Sequence, residues 1–265
     1  MKCSVYELGK LNNTKFNNKL DKDNFMNMYP RTTQYDAKWI EENWMGPNPL
    51  QLLEELCKNL KLSSGMKVLD LGCGKGLTSI FLAKEFGVTV FANDLWIDAT
   101  ENLQRFEAAG VADKVFPIHA EAHALPYAKG FFDVAISVDS YHYYGADGMY
   151  FPCTFAKLVK PGGQFGIACP GLIQEFKTGY PETHKSFWNE EMFSFHSLDW
   201  WRHLWEKTGL VDIVSGYNIP EPKAIWYPWA RWAKEHLKFN DVEFLDADTE
   251  NQIALFVMTA VKKYD

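Results

Sequence analysis

From Pro49 onward the apolar positions of the chain keep a regular beat. Leu50, Leu53, Cys57 and Leu60 recur at three- to four-residue spacing, which predicts a helix with one apolar face, and Ser63-Ser64-Gly65 ends it. Met66 to Leu71 then reads as a strand. Further β-rich runs follow as VTVFAN from residue 88, KVFPIH from 114, FFDVAISV from 131 and QFGIAC from 164, with helix-like segments between them. Alternation of this kind predicts parallel strands joined by crossover helices. Near the end the rhythm changes. A helix-like stretch, Ser197 to Thr208, leads into LVDIVSGYNI, and the last apolar run is QIALFVMTAV at 252–261. These two strands have no plain crossover helix between them, so an antiparallel pair at one sheet edge is expected. Pro220 to Thr249 is too long for a hairpin loop and carries its own helical pattern, WYPWARWAKEH, which makes it an insertion.

The fold class expected is therefore α/β: a doubly wound, seven-stranded, mostly parallel sheet with an antiparallel C-terminal strand. Residues 1–48, rich in Asn and Lys and with little periodicity, read as an N-terminal arm or lid. Residues 49–265 read as one domain with lid insertions at about 171–196 and 220–249, a size that one core can support.

Composition narrows the partners. Lys plus Arg number 27 against 34 for Asp plus Glu, a net charge of −7, which argues against a nucleic-acid partner. Five cysteines, none in a Cys-x-x-Cys pair, signal neither a disulfide framework nor a zinc site, so no metal is expected and a reducing cytoplasm fits. No apolar stretch approaches the ~18 residues of a membrane span, and the N-terminus has no signal-peptide core. Seven of the ten tryptophans come after residue 187, an asymmetry that calls for a cause.

The strongest local signal is Val68-Leu69-Asp70-Leu71-Gly72-Cys73-Gly74-Lys75-Gly76, a strand running into a glycine-rich turn with a helix after it. Glycines there let a ligand lie against bare backbone. The dinucleotide spacing G-x-G-x-x-G/A fails at Leu77, and a carboxylate at Asp70 would repel a pyrophosphate, which disfavours a nicotinamide oxidoreductase. A cofactor with positive charge and no phosphate fits better. Asp94, at the end of the second predicted strand of this series, is placed to accept hydrogen bonds from vicinal hydroxyls, or more plainly to cap the following helix.

This run resembles motif I of the class I methyltransferases, whose cofactor is S-adenosylmethionine, released as S-adenosylhomocysteine. The resemblance covers roughly residues 45–215 and continues through Asp94, through His119-Ala120-Glu121-Ala122-His123-Ala124-Leu125-Pro126-Tyr127, and through Lys160-Pro161-Gly162-Gly163. It implies a Rossmann-like methyltransferase fold and a set of cofactor-binding residues. Asp70 would face the methionine moiety, and Gly72, Cys73, Gly74 and Gly76 would pass beneath it. Asp94 would grip the ribose with Leu95 beside it, Glu121 and Ala122 would meet the adenine, and Ser137 would lie where the fourth strand ends opposite the methyl group.

Methyl transfer mainly requires alignment, exclusion of water and, for a protonated acceptor, removal of a proton. Asp139-Ser140-Tyr141-His142-Tyr143-Tyr144 offers the groups for this, with His142 as the expected base or orienting residue, Asp139 near it and Tyr35 of the arm as a partner for His142. The plainer reading makes His142 a core or wall residue and Tyr35 lid packing. The late aromatics read either as the wall of an acceptor pocket, or, for Trp226, Trp229 and Trp232, as the buried stripe of the inserted helix; Asp241, Glu243, Asp246, Asp248 and Glu250 read as a solvated run.

The function expected is S-adenosylmethionine-dependent methylation of a small molecule at N, O or S in an aromatic-lined pocket. Carbon methylation or cyclopropane-type transfer to a lipid, and a non-catalytic binding protein for the same cofactor, are the competing readings. Edge strands and exposed aromatics are compatible with a homodimer.

Overall fold

The computed structural model of the protein describes residues 28–264, so the Asn- and Lys-rich stretch before Met28 lies outside the described residues. Seven strands form one sheet: β1 (Lys67–Leu71), β2 (Thr89–Asp94), β3 (Val115–His119), β4 (Phe132–Val138), β5 (Val159–Leu172), β6 (Val211–Asn218) and β7 (Ile253–Lys262). Their order is β3-β2-β1-β4-β5-β7-β6. β1 to β5 are parallel, and β7 runs antiparallel between β5 and β6, as the loss of a simple crossover near the C-terminus predicts.

Nine helices frame the sheet among the described residues: α1 (Ala37–Asn43), α2 (Pro49–Cys57), α3 (Leu77–Phe86), α4 (Ala99–Ala108), α5 (His142–Gly145), α6 (Ala156–Leu158), α7 (Leu198–Glu206), α8 (Pro222–His236) and α9 (Asp241–Ala247). The predicted helix from Pro49 stops at Cys57, before Ser63-Ser64-Gly65. Asn48 caps α2, its side chain accepting from the Leu50 and Gln51 amides, with Pro49 at the first helical position.

Successive residues of a strand face opposite sides, and the core divides accordingly. Val68, Val90, Val134 and Ile136 pack with Leu52, Leu53 and Leu56 of α2 and Phe81 of α3. Leu69, Leu71, Ala135 and Ile167 pack with Tyr141, Phe151, Phe155, Trp201 and Trp205. That second set accounts for two of the late tryptophans. Trp226 and Trp229 of the insertion are buried in the first set, with Trp229 stacked on Trp232 at 5.4 Å. They close the core and do not line the cleft described below. The acidic run is only partly a solvated loop. Asp248 is buried, accepts from the Gln252 and Ile253 amides and pairs with Lys223 at 3.2 Å, while Asp241 accepts from Trp226 and Asp246 from Tyr227.

Candidate functional site

At the C-terminal edges of β1, β2 and β4, where the strand order reverses direction, lies a cleft of about 950 Å³, its open mouth included. Such a switch point is where open α/β sheets bind ligands. Its floor is Gly72 to Lys75, its walls come from Asn93 to Trp96, Ala120 to Ala122 and Val138 to Ser140, and Met45 to Pro47 cover it.

Gly72 and Gly74 have φ of 74° and 53°, the left-handed region that glycine enters without strain. A Cβ on Gly72 would lie 1.9 Å from Ser140 Oγ, so the turn packs directly on the segment after β4. The loop amides are consumed internally. Gly72 and Cys73 donate to the Asn93 carbonyl at 2.8 and 3.1 Å, and Gly74 donates to Asp94 Oδ2 at 2.7 Å. Those three amides are therefore not left to cradle a pyrophosphate, which is how glycine loops bind dinucleotides. Gly76 does not line the cleft: it caps α3 at φ 80°, and a Cβ there would meet the Phe106 ring at 2.4 Å. Its absence of side chain serves helix packing, which corrects the expectation that it passes beneath the cofactor.

Asp70 is fully buried behind the loop and is not part of the cleft wall. Its Oδ2 accepts from Thr78 and Ser79 hydroxyls, both at 2.6 Å, while Oδ1 has no partner. Burial raises its carboxyl to about 6, against the lowering by those two hydroxyls. An orphaned carboxylate oxygen under bare glycine backbone fits a ligand bringing positive charge or a water held beside one.

Asp94 lines the cleft at the expected place, yet its carboxylate already holds three donors, since Oδ1 accepts from the Trp96 and Ile97 amides at 2.8 and 3.0 Å. Of about four lone-pair sites on a carboxylate, one remains, so a grip on two hydroxyls becomes a bond to one. The capping alternative is also displaced, because Asp98 caps α4. Leu95 and Trp96 line the mouth and are exposed. Glu121 lines the cleft, half-exposed, with both oxygens accepting from His123, one from its amide at 2.8 Å and one at Nδ1 at 2.7 Å, and this pairing holds the Glu121 carboxyl below its usual range. Ala122 lines the wall and takes the Tyr150 hydroxyl on its carbonyl at 3.2 Å. Ser137 is buried behind the wall, donating to the Leu71 carbonyl at 2.8 Å, so the strand-end contact expected of it passes to Asp139 and Ser140.

The predicted catalytic group is only partly assembled. Asp139 lines the cleft at φ 52°, in the left-handed region that Asp enters more readily than most non-glycine residues. Its carboxylate lies so close under Gly46 that a Cβ there would overlap Oδ2 at 1.8 Å. Burial, then Asp241 and Glu191, push the Asp139 carboxyl well above the usual range. His142 follows it but is buried at 3% exposure outside the cleft lining, its ring 4.2 Å from Tyr143 and 5.6 Å from Phe195. Burial lowers His142 to about 3, too weak a base for neutral pH. Tyr35 does not reach it: its hydroxyl donates to Glu85 at 3.0 Å and its ring stacks on Trp39. Asn93, Met45 and Gly46 complete the site without having been singled out in the sequence, beside Ser140, Tyr143 and Tyr144 of the segment after β4 that was.

Residues 68–163 match a family model described as a methyltransferase domain. Methyltransferase GfsG of Streptomyces halstedii is 30% identical over 176 residues, 64% of this chain and 62% of that protein. Phosphoethanolamine N-methyltransferase 1 of Triticum aestivum is 27% identical over 180 residues, 66% of this chain and 34% of that protein. The chain thus spans 62% and 34% of the lengths of these two relatives. Haemonchus contortus phosphoethanolamine N-methyltransferase 2, solved with phosphomonomethylethanolamine and S-adenosylhomocysteine, superposes with a TM-score of 0.68 at 22% identity over 91% of this chain and 60% of that one, a likeness of fold. Sheet order, glycine loop and matched domain agree: over residues 68–163 the chain is similar to methyltransferase domains, carried on a Rossmann-like seven-stranded sheet.

Proposed function

We propose that this protein binds S-adenosylmethionine in the cleft and directs its methyl group to a small-molecule acceptor. The observation that carries the reading is the glycine floor at Gly72 and Gly74, its amides turned inward, over the unpartnered Oδ1 of Asp70. The cofactor supplies a methyl group on a positively charged sulfur, so that no activating base is needed on the donor side. Asp70 holds negative charge beneath the methionine moiety, Asp94 takes one ribose hydroxyl, Leu95 and Ala122 flank the adenine, and Glu121 retains one lone pair on each oxygen for its amino group. Met45 to Pro47 exclude water from above, while Asp139, Ser140, Tyr143 and Tyr144 face the acceptor. In-line displacement asks mainly for alignment of the acceptor and exclusion of water.

Among the described residues no helix is long and apolar enough to cross a membrane. A cytoplasmic location, with Cys73 and Cys169 buried as free thiols, goes with the proposal. Calorimetry tests it. S-adenosylmethionine and S-adenosylhomocysteine should bind at a 1:1 ratio, and incubation of methyl-labelled cofactor with a fractionated metabolite extract should release S-adenosylhomocysteine with a labelled small molecule. Binding of NADH in place of S-adenosylmethionine would overturn it.

A further inference from the structure

Two acceptors that line the cleft are left without hydrogen-bond partners among the described residues. Asn93 is buried and lines the cleft, and its Oδ1 has no donor. The Asp139 carboxylate lines it too, with no hydrogen bond or ion pair among the described residues. Both are acceptors. The lining holds a single cationic side chain, Lys75, and its ammonium already donates to the Glu42 carbonyl at 3.2 Å.

Around Asp139 the surroundings add negative charge and ring faces. Tyr143 lines the mouth with its ring 5.5 Å from Trp96, and His142, Phe195 and Trp226 continue the series inward at 4.2, 5.6 and 6.4 Å, to Asp241, which accepts from Trp226 Nε1 at 3.1 Å. A carboxylate in such a place is costly unless a cation joins it. Ring faces and a carboxylate together are the surroundings that an ammonium prefers, whereas a phosphate would find acids and a single lysine, Lys75, one of whose donors is already given to a backbone carbonyl.

Resting on the methyl-transfer reading above, we propose that the acceptor is an amine that enters as its ammonium ion and carries no phosphate, with its nitrogen held at the Asp139 carboxylate between Tyr143 and the cofactor. The ammonium gives one proton to Asp139, and the lone pair so freed takes the methyl group. Nitrogen gains an N–C bond, sulfur keeps the electron pair of the broken C–S bond, and Asp139 returns its proton to water. The raised affinity of Asp139 for protons, caused by burial and by Asp241 and Glu191, suits that exchange.

The test separates a cell extract by ion exchange at pH 4 and offers each fraction, with and without prior alkaline phosphatase, to the protein and labelled S-adenosylmethionine. Label is expected in an N-methylated product from the cation-exchanger-bound fraction, unchanged by phosphatase. Activity confined to the neutral or anion-exchanger-bound fractions, or abolished by phosphatase, overturns the proposal while leaving methyl transfer standing. Tight cofactor binding with no label in any fraction overturns both. Asp139→Asn is the second arm, since Asn keeps the shape and tolerates left-handed backbone. KM for the active fraction should rise roughly tenfold or more, with the calorimetric Kd for S-adenosylhomocysteine within about twofold. An unchanged KM overturns the assignment to Asp139.

Discussion

At the Gly72–Gly74 end of the cleft, the loop amides and most of the Asp94 lone pairs are used inside the protein, and the parts lie on strand ends close together in the chain. At the Asp139 end, carboxylate and rings come from segments before β1, after β4, after β5 and after β6, and Asp139 has no hydrogen bond or ion pair among the described residues. The first end is held by its own hydrogen bonds. The second is assembled by packing alone, and its unpaired charge is what a varying acceptor would satisfy. Different methyltransferases can thus share the first end and diverge at the second.

Four substitutions sharpen the contrast. Gly72→Ala forces a Cβ to within 1.9 Å of Ser140 Oγ at φ 74°, and it should cost about 2–4 kcal/mol in urea denaturation and more than tenfold in cofactor affinity. Unaltered affinity in the folded variant would show that the floor is not where the cofactor lies. Gly76→Ala strains φ 80° and strikes the Phe106 ring, and should lose a similar ~2–4 kcal/mol, yet the folded protein should bind S-adenosylhomocysteine within about threefold of normal.

Asp70→Asn reverses the sign. With its carboxyl raised to about 6 from 3.8, the folded state holds the proton more tightly than the unfolded chain, so this group's contribution is most favourable below pH 3.8 and is lost as pH rises to about 6. The neutral Asn escapes that loss. It should raise stability at pH 7 by about 1 kcal/mol in thermal melts and make the melting temperature less dependent on pH between 4 and 6, while cofactor affinity falls about tenfold. A destabilised variant would mean that the orphaned oxygen has a structural partner. Tyr35→Phe is the smallest change. Losing the bond to Glu85 should cost about 0.5–1.5 kcal/mol and leave turnover unaltered, because Tyr35 lies outside the cleft lining; a large fall in kcat would restore its catalytic role.

The strands, their parallel order up to β5 and the antiparallel end were legible because a strand buried on both faces needs a continuous apolar run, which the runs at 88, 131 and 164 supply, while the run at 114 forms the half-exposed edge strand β3. The glycine turn was legible for the same local reason, since backbone at φ 74° and 53° leaves few residues but glycine. Gly76 misled because a glycine required by a neighbouring helix looks, in sequence, like one required by a ligand. His142 and Tyr35 misled because proximity in the chain says nothing about which wall a side chain ends up behind.

What the sequence by itself determined is therefore the sheet, the loop and the acidic residue at the end of β2, each set by backbone preference and apolar period over fewer than ten neighbouring residues. Only the tertiary structure decided that Gly46 lies over Asp139, that Asp241 and Glu191 approach it, and that the late tryptophans fill the core. Those outcomes depend on contacts between segments as much as 185 residues apart, such as Trp44 against Trp229, whose pairing is fixed by shape and burial and leaves no periodic mark on the chain.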